Sequence, residues 1–108
     1  MQNSRGIFTV GNDSSWLNDL SKEPIEIDLK LDIIRYHRQI CEVFDQIEEI
    51  QITAVESRYC PRVRFDVKTK NSSVEDVLEK ESKFRMEIRD LLPIESRMNF
   101  VLVVHLLK

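Results

Sequence analysis

The chain has 108 residues, 42% hydrophobic and 32% charged, with a formal net charge of −3. That is one domain's worth of sequence with enough apolar side chains for a core, which excludes intrinsic disorder. So small a net charge sets up no whole-molecule field that would draw in nucleic acid or a membrane, and its expected role is solvation.

Targeting and covalent signals are as quiet. Residues 1–5 are polar with no apolar signal core behind them, and the apolar run at 101–104 is too short to cross a bilayer. A cytoplasmic location is expected. Two cysteines, Cys41 and Cys60, are too few for a disulfide scaffold. Both glycines, Gly6 and Gly11, precede residue 12. The rest of the chain therefore has no glycine-rich loop to cradle a phosphate and no nucleophile elbow.

Residues 1–24 read as a polar N-terminal arm, partly ordered, and residues 25–108 as a single α+β domain. Within the arm, Ile7 to Val10 suits a short edge strand. Ser15 is placed to cap a helical turn carrying Trp16 and Leu20 on one face. Residues 25–33 alternate apolar and polar, the strand signal, yet Leu29, Ile33, Tyr36, Ile40, Val43, Phe44 and Ile47 recur at helical spacing. The pattern predicts a strand over 25–30 and a helix over 32–49, with Asp32 as an early acid or N-cap.

A hairpin follows. Residues 51–57 are rich in β-branched side chains, and residues 62–68 alternate cleanly after a turn containing Pro61, with Val63, Phe65 and Val67 facing inward. Ser72 and Glu75 then have the spacing of a capping box for a second helix. Its apolar stripe is Val74, Val77, Leu78, Phe84, Ile88, Leu91 and Leu92, and Pro93 ends it. The final strand is apolar on both faces. Phe100, Leu102, Val104 and Leu106 line one face; Val101, Val103 and Leu107 line the other, with His105 its only polar member.

This order predicts a ferredoxin-like β-α-β-β-α-β two-layer sandwich, an antiparallel sheet with two helices on one face. The alternative, if residues 25–30 belong to the helix, is a three-stranded αββαβ variant. The stretch from the hairpin through residues 72–77 to 103–106 is similar, in element order and spacing, to the cytoplasmic domain of cation-efflux transporters. That resemblance implies dimerisation and a capacity for metal, but no shared motif carries a site residue over.

No catalytic residue is assigned, and the chain is expected not to be an enzyme. Glu81 interrupts the apolar stripe of the second helix, and pairing with Arg85 four residues on is its simplest role. His37 and Cys41, four apart on one helix face, come nearest to a metal-ligand pair, with Cys60 and His105 available to complete a set. Cys60 would lie roughly 30 Å along its strand from the end of the first helix and His37 only roughly 18 Å along that helix, so no metal is assigned. No cofactor is implied. In the hairpin, Arg58, Arg62, Arg64, Lys68 and Lys70 face a single carboxylate, Asp66, which makes anionic (RNA) binding an alternative reading. The aromatic and glycine pattern of RNA-recognition strands is absent.

The leading expectation is a small interaction module that forms a homodimer, or pairs with another protein, through its last strand. The expected contact residues are Val55, Val101, Val103, His105 and Leu107. A ligand- or metal-responsive regulatory domain is the second reading.

Overall fold

The computed structural model describes residues 4–10, 15–55, 62–70 and 73–107, with residues 4–10, 54 and 55 described as backbone. The elements are β1 (Ser4–Val10), α1 (Ser15–Lys22), α2 (Ile27–Val43), β2 (Ile47–Val55), β3 (Val63–Lys70), α3 (Val74–Leu91), α4 (Ile94–Arg97) and β4 (Phe100–Leu107). The protein is α+β with a mixed sheet. Three strands, β2-β3-β4, make its centre, and β1 extends it at the edge in the order β1-β2-β3-β4.

The expected strand at 25–30 does not form. Ile27 opens α2, and the 3.6-residue period wins over the alternation. Leu29, Ile33, Tyr36, Ile40 and Val43 are buried, whereas Ile27 is 68% exposed. A strand there would have had to bury Ile27 beside Leu29; the helix turns it to the surface. Residues 27–107 thus follow the αββαβ alternative, and residues 4–10 add a fourth strand at the edge beside β2, far from where the expected 25–30 strand would lie. The helix is also shorter than expected. It ends at Val43, and Gln46 takes a left-handed conformation (φ 58°) that turns the chain into β2. Phe44 and Ile47 fitted the helical stripe because they face the same core from the connection and from the strand.

The hairpin β2–β3 is antiparallel, with Ile52 opposite Phe65 and Ala54 opposite Val63. β4, however, runs parallel to β3, so the antiparallel ferredoxin-like sheet is not what forms. Neighbouring parallel strands need a long crossover, which α3 and α4 provide. The cap of α3 lies one residue later than expected: Ser73 is the N-cap, and its hydroxyl accepts from the Asp76 amide at 3.1 Å. Ser72 lies outside the described residues.

Helices α1, α2 and α3 meet one face of the sheet. Trp16 and Leu20 from α1, the buried stripe of α2, Ile50 and Ile52, Val63, Phe65 and Val67, and Phe84 and Ile88 form one continuous core. At its centre the ring of Tyr36 lies 4.8 Å from Phe65, 5.0 Å from Phe84 and 4.7 Å from Phe100. α3 is fastened at the surface to the connection after α2 by Lys80 and Asp45 (2.7 Å), and to α2 itself, nearer the core, by the Gln39 amide, which donates to Glu87 at 2.5 Å.

Candidate functional site

The register of β4 on β3 assigns its two faces. Phe100, Leu102, Val104 and Leu106 lie beside Val63, Phe65, Val67 and Thr69, all four of which are buried, so these four face the helices. Val101, Val103, His105 and Leu107 lie beside Arg64, Asp66, Lys68 and Lys70 on the open face. This is the division expected from alternation. Of the eight residues of β4, only Phe100 is buried; Val101 to Leu107 are all intermediate. The helices therefore do not finish covering β4 on their own side.

β4 has one strand neighbour, β3, and no strand pairs with its other edge among the described residues. An edge strand offers unpaired N–H and C=O groups, and proteins usually blunt such edges with lysine, proline or inward-pointing charge. β4 has none of these between Phe100 and Leu107. Its one polar side chain, His105, is tied into its own sheet: Nε2 lies 2.9 Å from Asp66 Oδ1.

Asp66 is the hub of the open face, and its side chain is only 13% exposed. Arg64 approaches it in a bidentate arrangement, with Nε at 3.0 and 3.1 Å and Nη2 at 2.9 Å. Partial burial pushes the Asp66 carboxyl upward, but hydrogen bonds and positive charge from Arg64 and His105 outweigh it, and the group sits below the usual carboxylate range. A carboxyl whose folded pKa is depressed contributes stability above its unfolded value, about 3.9, and that contribution is lost as pH falls through the lower folded value. The melting temperature is therefore expected to drop on acidification below about pH 4, and Asp66→Asn should flatten that part of the profile. Identical acid slopes for parent and variant would show that the carboxylate takes no part.

The basic hairpin is largely neutralised from within. Arg64 is held by Asp66, Lys68 pairs with Glu49 across the strands at 3.0 Å, and Lys70 reaches Glu48 at 3.2 Å. Arg62 precedes β3 and its amide donates to Asn99 O at 2.8 Å; Arg58 lies outside the described residues. Val55 is on β2, with β3 between it and β4, so its position does not adjoin the β4 column. Sequence reasoning assigned no role to Asp66 beyond its charge. Its position opposite Val103, one strand from His105, follows from a parallel register that alternation does not encode.

His37 and Cys41 are brought together, with Nε2 and Sγ 3.7 Å apart. The His37 ring also packs on Trp16, 4.7 Å between centroids. Burial lowers the His37 pKa, while burial and then the Glu42 carboxylate raise that of Cys41. Both shifts favour neutral groups, the reverse of what an activated thiolate–imidazolium pair needs. His105 is on the open face of β4, engaged with Asp66, and Cys60 lies outside the described residues. Among the described residues no cluster of three or more His, Cys, Asp or Glu is arranged to hold a metal. Glu81 pairs with Arg85 at 3.5 Å.

A second feature was not legible in the sequence. Arg85, Arg89 and Arg97 line a cavity between α3, α4 and the start of β4. As three surface cations in helices they carry no pattern of their own; only the fold puts an aromatic floor beneath them. Among the described residues no helix is long and apolar enough to cross a membrane. The chain matches no protein-family model, no curated protein and no solved structure.

Proposed function

We propose that this protein is a non-catalytic interaction module that pairs with a second copy of itself through β4. The observation that carries the reading is a single strand with a free edge, apolar side chains on both faces, and only one of its eight residues buried. Two copies meeting edge to edge would continue the sheet across a two-fold axis, satisfying the backbone of both edges at once.

The geometry of such a pair is constrained. In antiparallel pairing, opposed residues lie on the same face, so the axis passes between one residue of β4 and the same residue of the other copy. Centred on Val103 or Val104, the open-face column of each copy meets that of the other, and the helix-face column does likewise. Val74 and Leu78, 61% and 59% exposed on α3, add apolar surface to the same molecule. The charged residues of β3 stay in their internal pairs and need not be stripped of partners. A second copy suits this surface because identical edges are complementary by symmetry.

Sedimentation over a wide concentration range tests the proposal. A dimer that dissociates reversibly on dilution is expected. A monomer throughout the range would overturn self-association.

A further inference from the structure

The cavity beside α3 adjoins β4, since Val101 and Leu102 line it together with Phe100, but its chemistry is more specific than that of the strand edge. It holds about 370 Å³, within the range of small-molecule sites. It is lined by the aromatic residues Tyr36, Phe84 and Phe100, by Val101 and Leu102 of β4, and by Arg85, Arg89 and Arg97. Among the described residues no carboxylate lines it. In a chain of net charge −3, this gathers three cations over an aromatic surface.

Each arginine is available in a different degree. Arg97 is held in place from behind, its Nε donating to Leu92 O at 3.1 Å. Arg85 makes one long ion pair with Glu81 at 3.5 Å, and its side chain is 70% exposed. The Arg89 side chain makes no ion pair or hydrogen bond among the described residues. Arg85 and Arg89 stand four apart on α3, so their side chains are neighbours, and like charges at that spacing repel. An anion between them would remove that repulsion and accept planar, paired hydrogen bonds. Tyr36 contributes at the floor. It is 6% exposed, and burial, opposed by the Arg85 charge, raises its pKa to about 12, so the phenol keeps its proton as a donor.

We propose that this cavity binds a small amphipathic organic anion, a carboxylate with an aryl or alkyl body. The carboxylate lies among Arg85, Arg89 and Arg97, and the apolar body lies on the rings of Tyr36, Phe84 and Phe100. A bare inorganic anion would leave the apolar part of the lining, including the half-buried Val101 and Leu102, without an occupant, and an uncharged apolar molecule would leave the arginines without a partner.

Calorimetric titration of the full chain with 4-phenylbutyrate tests this, with 4-phenylbutanol and inorganic phosphate as comparisons. Saturable binding of one phenylbutyrate per chain is expected, at least about tenfold tighter than either comparison and weakened about tenfold or more by Arg89→Gln. Arg89 is exposed, so that variant keeps the fold. No saturable binding, equal binding of the alcohol or of phosphate, or binding unchanged by Arg89→Gln would each overturn the proposal. The cavity is built from one chain, so phenylbutyrate should also bind a monomeric variant. Its failure is thereby distinguishable from failure of self-association.

Discussion

Val103→Lys is expected to convert the proposed dimer to a monomer that keeps its fold. Val103 lies on the open face of β4, half-covered, with Asp66 beside it on β3. Within one chain the lysine is therefore next to a carboxylate, and the sheet loses little. Across the proposed two-fold axis the outcome differs. A register centred on Val103 sets the two lysines against each other, and one centred on Val104 sets each against His105 of the other copy. Fully burying a valine contributes about 1.5 kcal/mol, but Val103 is already mostly covered in the monomer, so pairing adds about a third of that, and symmetry doubles the loss to about 1 kcal/mol before any charge repulsion. Dimer dissociation should thus rise by about fivefold or more. Aspartate is the poorer choice, because it would stand beside Asp66 and weaken the monomer as well. Sedimentation and circular dichroism together read the result. An unchanged mass would place the interface elsewhere, and cooperative unfolding at ambient temperature would make Val103 a residue of the monomer's own core.

How much of this was legible beforehand depends on which period each residue serves. In β3, alternation was unambiguous, and Val63, Phe65 and Val67 are buried as expected. In β4, alternation assigned both faces but not the direction of the strand, because the same pattern fits parallel and antiparallel neighbours. The parallel register comes from the α3–α4 crossover, whose path is a tertiary matter. Residues 25–33 satisfied two periods together, and the choice fell to burial: of these residues only Leu29 and Ile33, four apart, are buried. The helix end was misplaced for a related reason. Phe44 and Ile47 stay core-facing through a change of element, and the non-glycine residue that makes the turn, Gln46, gives no warning in its type. The cavity was hidden altogether, since its floor joins α2, α3 and β4 and its cations look like ordinary helix-surface charge.

Phe65→Ala is expected to have the largest effect on stability. Phe65 is fully buried on the central strand β3, paired with Ile52 on one side and Leu102 on the other. Its ring lies 4.8 Å from Tyr36 and 5.9 Å from Phe100, so its removal leaves a void beneath three elements at once. Truncations of this kind cost about 3–5 kcal/mol, against a total of about 5–15 kcal/mol for a domain. A fall in melting temperature of roughly 13–22 °C follows for a chain of this size. Phe65→Leu, which refills most of the volume, should lose about half as much or less. The same void undermines the floor of the cavity through Tyr36 and Phe100, so phenylbutyrate binding should weaken in Phe65→Ala while Arg85, Arg89 and Arg97 are all present. A loss below about 1 kcal/mol would mean that the site collapses without a cavity. In that case Tyr36, with its contacts to Phe84 and Phe100, would be the residue on which helices and sheet depend.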